Sequence, residues 1–382
     1  MAHTYSFQKS GSLHSPALIY YRDIIASNIQ KAINAAQGAE HLWPHIKSHK
    51  MADVIRMSMT FGITHFKCAT ISEAETAASC HTPHIMLAYP LVGPNISRFI
   101  QLAEAFPQTH FYAIGDNLEM LSYLGKEAST SASLKNIDVF IDINTGMNRT
   151  GVPLSSVNDF YNSCSSINGI SIVGIHCYDG NRTESDCVER KKEVTAFNSE
   201  LRNLIQSMRE KNSNSFILVI GGSPSFHCHT SFWLTENVTP SNTLLYFSPG
   251  TIFIYDYGYQ KKYPDLPYIP AASILTRVIS HPSDGIFTLD CGYKSIAADP
   301  TGSRGMLLGV SHYEEMFQSE EHWTFRMESG FERERPPIGK ELFIIPTHIC
   351  PTSALYPEAI VIEKGEIIPS WPVSARNRKI TY

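Results

Sequence analysis

The sequence predicts an α/β fold: a (β/α)8 barrel over residues 15–255 followed by a β domain over residues 256–382. Short β-rich runs alternate with helical ones about eight times as far as residue 255, which suits a closed barrel better than an open sheet. Beyond that point the helical periodicity stops and strand-like runs follow one another, over a length usual for a small domain. The whole chain, 382 residues, is longer than one minimal domain and fits one large domain with one smaller. Residues 1–14 precede the first strand run and are free to join the β domain.

The strand runs of the first part are, in order, "ALIYY", "ITHFKCAT", "HIMLAYP", "THFYAIG", "NIDVFIDIN", "ISIVGIHCY", "SFILVIGG" and "TLLYFSP". Each is rich in β-branched and aromatic residues. Between them lie helical patterns such as "RDIIASNIQKAINAAQG" and "MADVIRMSMTFG". The clearest is "TESDCVERKKEVTAFNSELRNLIQSMREKN", where Val194, Phe197, Leu201, Leu204 and Met208 recur at helical spacing and Thr183 is placed to cap the start. In the second part, "SILTRVISH", "GIFTLDCGY", "WTFRMES", "GKELFIIPTHIC" and "EAIVIEKGEIIPSWPV" read as strands with turns at Asp-Gly, Lys-Gly and Pro.

Composition narrows the partners. With 43% hydrophobic and 18% charged residues the chain is an ordinary globular one. Its net charge of −5 is mild and no basic stripe is present, so nucleic acid is not an expected partner. The N-terminus lacks the charged start and apolar core of a secretory signal, and no apolar run is long enough to span a bilayer. The cysteines at 68, 80, 164, 177, 187, 228, 291 and 350 form no CxxC pair and are expected as thiols in a reducing compartment, the cytosol by default.

In barrels, chemistry gathers at the C-terminal ends of strands. "WPHIKSHK" brings His45, Lys47, His49 and Lys50 together. A lysine at a barrel mouth is partly desolvated, which favours the nucleophilic amine, although a surface basic loop has the same composition. In "INTGMNRTGV", Arg149 follows a glycine turn and can offer a cation to an anionic ring oxygen. "GIHCYDGN" supplies His176, Tyr178 and Asp179. "VIGGSPSF" closes a strand with Gly221, Gly222 and Ser223, whose backbone amides and hydroxyl suit a phosphate, or simply a turn. Near the C-terminus, "ELFIIPTHICPTSALYPE" places His348 and Cys350 two residues apart. In an extended strand such a pair shares a face about 6.5 Å apart. It is either an incidental strand end or the protein half of an open metal site.

Taken in order, "PHIKSHK", "CATISEAE", "LAYPLVGP", "NTGMNRTG", "HCYDGN", "GGSPSF", "SPGTIFIYD", "LDCGYK", "SEEH" and "PTHICPT" resemble the D-serine dehydratase and D-threonine aldolase family of pyridoxal-phosphate enzymes, which has the alanine-racemase fold. The resemblance runs from about residue 15 to the C-terminus. It implies a cofactor-bearing barrel, a C-terminal β domain, a homodimer, a small amino-acid substrate and one divalent metal, zinc by preference with Mn2+ or Mg2+ as alternatives. Lys47 matches the Schiff-base lysine, Arg149 the arginine beside the phenolic oxygen, and Tyr178 an active-site tyrosine. Gly222 and Ser223 match the phosphate turn, and His348 and Cys350 the two protein ligands of the metal. Lys294 and Asp299 match a family segment without an assigned role.

The activity implied is elimination of the β-hydroxyl of a D-β-hydroxy amino acid to a 2-oxo acid and ammonia. The alternative is retro-aldol cleavage to glycine and an aldehyde. The family's dehydratases tend to carry His-x-Cys and its aldolases His-x-Asp, so His348-x-Cys350 favours the dehydratase; thiolate also selects zinc. A non-catalytic cofactor carrier consists of a barrel alone, and the β domain argues against it. Three departures from the family pattern, Trp43 for arginine, Trp323 for glycine and "LLYF" without an acidic residue, either reshape the pocket or are packing variation. The triplet His227, Cys228, His229 offers metal-ligand chemistry or a structural loop.

Overall fold

The computed structural model describes residues 5–210, 215–236 and 238–381. Contacts divide the chain into two compact units. One is Ala32–Lys47, Val54–Gly250 and Asn377–Tyr382; the other is Met1–Lys31, Ser48–Asp53 and Thr251–Arg376. Strands are numbered along the chain from β1 (Ala17–Tyr21), which lies in the second unit.

The first unit is a parallel barrel. Strands β2 (His65–Cys68), β3 (His84–Leu87), β4 (His110–Gly115), β5 (Ile137–Asn144), β7 (Ile170–Cys177), β8 (Phe216–Ile220) and β9 (Thr243–Phe247) pair in that order, and the two-residue β6 (Val152–Pro153) pairs with β5. Helices such as Ile71–Ala78, Pro94–Ala105 and Leu118–Thr130 supply the crossovers that parallel pairing needs.

Residues 42–45 close the ring as an eighth stave. Leu42 bridges Phe247 of β9 and His45 bridges Lys67 of β2, both in the parallel sense. Trp43 N donates to Phe247 O at 2.8 Å and Lys67 N to Pro44 O at 2.8 Å. The expectation that "ALIYY" opens the barrel is therefore corrected: β1 pairs antiparallel with residues 272–275 and parallel with 360–362. A short, fully buried apolar run carries no mark of which sheet will take it, and Pro44 hides the true stave from any strand pattern.

Trp43 is fully buried in the barrel interior with Met86, Tyr112, Ile114, Phe140 and Val219. Its ring meets His65 at 4.6 Å, Tyr112 at 5.1 Å and Tyr246 at 5.1 Å, all edge-on. Of the two readings for Trp43, core packing is the one observed. Trp43→Ala is expected to destabilise the barrel by about 3–5 kcal/mol. Urea unfolding reads this as a lower midpoint at similar slope, and an unmoved midpoint would contradict it.

The second unit is a mixed sheet. It contains β1, β10 (Ala272–Ser280), β11 (Ile286–Leu289), β12 (Gly305–Leu308), β13 (Tyr313–Gln318), β14 (Trp323–Met327), β15 (Glu341–Pro346), β16 (Glu358–Glu363) and β17 (Glu366–Pro372). The order is β13-β14-β11-β10-β1-β16-β17, with β15 pairing β10 and β12. Tyr5, Ile19, Tyr21, Leu275, Ile345 and Ile362 form its core. The Lys-Gly turn is a two-residue hairpin loop: Lys364 and Gly365 both take positive φ, 50° and 80°, the twist that a tight hairpin prefers. Trp323 is buried in β14 beside Phe325 at 5.0 Å, again as packing.

Two further expectations change. The long helix runs Cys187–Glu210, and its start is capped by Asp186, whose Oδ1 accepts from Val188 N and Glu189 N. A carboxylate at this position outcompetes the hydroxyl of Thr183 three residues earlier. Lys211 and Asn212, which the helical pattern included, lie outside the described residues. The second unit also holds helices, Tyr257–Lys262 and Ile349–Leu355, the latter inside a stretch expected to be a strand end. Among the described residues no helix is long and apolar enough to cross a membrane.

Candidate active site

The barrel's candidate residues all follow C-terminal ends of staves. Lys47 sits in a 3-10 turn (Ile46–Ser48) after the closing stave, Arg149 after β5, Tyr178 after β7, and Gly221, Gly222 and Ser223 after β8. Because this segment is a turn and not an extended strand, His45, Lys47 and His49 do not alternate onto one face. Lys47 N donates to His45 Nδ1 at 3.3 Å. His49 is buried, and burial together with the charge of Lys50 lowers its pKa to about 3, so its ring is neutral and accepts from Met51 N at Nδ1.

Tyr178 is the hub. Its ring centre lies 5.3 Å from Lys47 Nζ, 5.0 Å from the Arg149 guanidinium and 5.7 Å from Lys67 Nζ. All three are within cation–π range. Such a cluster of cations suits a ligand carrying anionic oxygens. The glycine turn packs tightly against it. Gly221 has φ +90°, and a Cβ on Gly222 would come within 3.1 Å of Tyr178 Cε2. Ser223 is buried in the same turn and its Oγ accepts from Gly250 N at 3.3 Å.

Around His176 lies a network whose other members, Lys67 and Asp142, the sequence reading did not single out. Lys67 on β2 is 2% exposed, a rare state for a lysine. Its Nζ is 3.4 Å from His176 Nε2, and His176 Nδ1 is 2.8 Å from Asp142 Oδ1. Burial, then the charge of Lys47, pulls the Lys67 pKa down to about 7 despite Asp142 and Asp179. Burial and then Lys67 lower the His176 pKa, which favours a neutral ring donating from Nδ1 to Asp142. Burial alone would raise the Asp142 carboxyl, but His176, Thr150 and Lys67 hold it below the usual range. Alternation along the strands was the available signal: Lys67 follows His65 on one face of β2, and Asp142 follows Phe140 on one face of β5.

Asp179, next to the hub, is fully inside. Its Oδ2 meets His229 Nε2 at 2.8 Å and its Oδ1 accepts from Ser225 Oγ at 2.8 Å, while His229 Nδ1 faces Asn198 Oδ1 at 3.0 Å. The triplet His227, Cys228, His229 thus lies on a helix (Phe226–Thr230), where successive residues point apart. His229 braces Asp179.

In the second unit, His348 and Cys350 are not two residues of one strand. β15 ends at Pro346; His348 is the extended residue before the helix Ile349–Leu355, and Cys350 lies in its first turn. The buried Asp256 holds this bend, accepting from Ile349 N at 3.1 Å and Tyr259 N at 2.9 Å, and burial pushes its pKa up to about 6. His348 Nδ1 meets Asp299 Oδ2 at 2.5 Å. Burial would lower the His348 pKa, but hydrogen bonds and charge from Cys350 and then Asp299 raise it to about 9. Cys350 Sγ lies 3.6 Å from Thr251 Oγ1. Among the described residues no group of three or more His, Cys, Asp or Glu side chains is arranged to hold a metal ion. The pair supplies two soft or borderline donors, with Asp299 orienting the ring behind them. Lys294 instead forms exposed ion pairs with Glu320 and Glu321.

Comparison with known proteins adds the following. Residues 21–237 match the family model "Alanine racemase, N-terminal domain", and residues 271–362 match "Putative serine dehydratase domain". D-threonine aldolase of Arthrobacter sp is 23% identical over 337 residues, 88% of this chain and 85% of that protein. The crystal structure of D-threonine aldolase from Filomicrobium marinum superposes with a TM-score of 0.84 at 23% identity, covering 97% of this chain and 98% of that one. D-threo-3-hydroxyaspartate dehydratase from Delftia sp. HT23 gives 0.79 at 18% identity, covering 95% and 98%.

Proposed function

Because the chain belongs to the family of the alanine racemase N-terminal domain, we propose that it is a pyridoxal-phosphate-dependent lyase acting on a D-β-hydroxy amino acid, of the D-serine dehydratase type. The observation that carries this reading is the convergence of Lys47, Arg149 and the Gly221–Gly222–Ser223 turn on Tyr178. An amine, a guanidinium and a glycine turn with a buried hydroxyl are what an aldehyde, a phenolic oxygen and a phosphate require, so the residues fit the cofactor.

Pyridoxal phosphate held there would supply an electron sink for charge developing at the substrate's Cα. Lys47 would be the residue that anchors the cofactor, and its amine would also be the group that moves the proton at Cα. Arg149 would face the phenolic oxygen, and Gly221, Gly222 and Ser223 would hold the phosphate end. Tyr178 packs on the glycine turn and faces both Lys47 and Arg149. His348 and Cys350 are the residues that would hold a divalent cation, zinc by preference given the thiolate. Such a cation supplies the Lewis acidity that makes hydroxide a leaving group. Asp299 bonds His348 Nδ1, so Nε2 is the ring nitrogen that would be left for such a cation. A homodimer and a reducing, cytosolic setting go with this reading; all eight cysteines are free thiols.

The second reading is an aldolase, favoured by the similarity to D-threonine aldolase. D-threonine separates the two. Incubated with cofactor-loaded protein, it is expected to give 2-oxobutyrate and ammonia, lost on chelation. Glycine and acetaldehyde would establish the aldolase instead. Failure of both D-threonine and D-serine to react would sink the proposal.

A further inference from the structure

We propose that Lys67 is a second active-site amine, a positioning residue whose charge state, set through His176 and Asp142, tunes the cofactor held at Lys47. The inference rests on the cofactor reading above and deepens it. Lys67 lies inside the barrel, 2% exposed, where burial penalises its charged form. It faces the same aromatic ring as Lys47, 5.7 Å and 5.3 Å from the ring centre respectively. The two distances bound the separation of the amines at about 11 Å, where a unit charge at an effective dielectric of about 20 shifts a neighbouring equilibrium about tenfold.

The groups that face Lys67 come from every wall around it. His176 and Asp179 belong to the β7 strand and its end, Asp142 to β5, Arg149 to the loop after β5, Lys47 to the turn after the closing stave, and His45 is its register partner on that stave. Two carboxylates, one of them tied to His229, oppose four permanent or potential cations. Burial first, and then the charge of Lys47, makes the proton on Lys67 easier to lose and brings its titration to about 7 against the pull of Asp142 and Asp179. The hydrogen-bond chain is directional: Lys67 Nζ donates to His176 Nε2, and His176 Nδ1 donates to Asp142 Oδ1. A lysine held in this way does not need to touch the substrate to matter. It places or withdraws one positive charge beside the Tyr178 ring that Lys47 also faces.

The test uses the absorbance of the bound cofactor in the full-length protein, scanned from about pH 6 to pH 9 with pyridoxal phosphate as the probe. The wild type is expected to show a change in band ratio with a midpoint near neutral pH. Lys67→Met should hold the wild-type high-pH spectrum throughout, and Lys67→Arg should hold the low-pH spectrum throughout. A residue with a merely structural role would move neither. A wild type without a neutral midpoint, or a variant that keeps it, overturns the inference while leaving the cofactor reading intact. If the methionine variant fails to fold, the arginine variant decides alone, since arginine keeps the charge at all these pH values. A wild type that binds no pyridoxal phosphate takes down both the cofactor reading and this inference.

Discussion

Lys47→Ala is expected to lower turnover of D-threonine by about 10⁴-fold or more, with the fold retained. The size follows from the two tasks given to one amine. The side chain would anchor the cofactor covalently and would also move the α-proton, and losing both is far worse than losing either. Folding should be spared, because Lys47 is only half-buried and sits in a 3-10 turn after the closing stave, outside the aromatic core around Trp43. Borohydride reduction of the cofactor-loaded wild type followed by peptide mapping should place the label on Lys47. A label elsewhere would reassign the anchor, and an alanine variant with near-normal turnover would refute it.

Cys350→Ala is expected to release the metal and lower lyase activity at least about 100-fold, leaving a residue of activity that chelators no longer affect. Two protein donors are a small set, so removing one leaves a single histidine, too weak to retain a cation against water. Metal analysis of the purified protein reads this directly: about one equivalent in wild type and far less in the variant. Cys350→Asp is the sharper variant. A carboxylate shifts preference from zinc toward manganese or magnesium, and by family resemblance it should move products toward glycine and aldehyde. Equal metal content in wild type and Cys350→Ala would remove Cys350 from the site. Because Asp299 bonds His348 rather than the open side of the pair, it is not placed to substitute for the lost thiolate.

Much of the fold was legible in the sequence. Seven parallel strands were read from β-branched and aromatic runs, because each is long enough to carry its own pattern between helical segments. The eighth stave was not, since Leu42–His45 contains a proline and makes only isolated bridges. β1 was read as a strand but assigned to the wrong sheet. The positions of Lys47, Arg149, Tyr178 and Gly221–Ser223 were legible as strand ends, a consequence of barrel topology. Lys67 and Asp142 were hidden inside ordinary strand runs. A lone polar residue there gives no sign of its partners 75 residues away in sequence. His348 and Cys350 were legible as a pair two residues apart but were read as a strand end, because Pro346 and Pro351 read as punctuation rather than as the entry to a helix.

By itself, then, the sequence determined the class of fold and the inventory of chemistry: a barrel, a β domain, a strand-end lysine, a glycine turn, and a histidine two residues before a cysteine. These are local properties, written in spacing and residue type. Only the tertiary structure decided which residues meet. It took β1 into the second unit's sheet, turned Trp43 into the barrel core, set three cations around one tyrosine ring and hung Lys67 on His176 and Asp142. The physical reason is that side-chain alternation records which face a residue occupies, whereas burial, charge and hydrogen bonding depend on neighbours brought from distant strands.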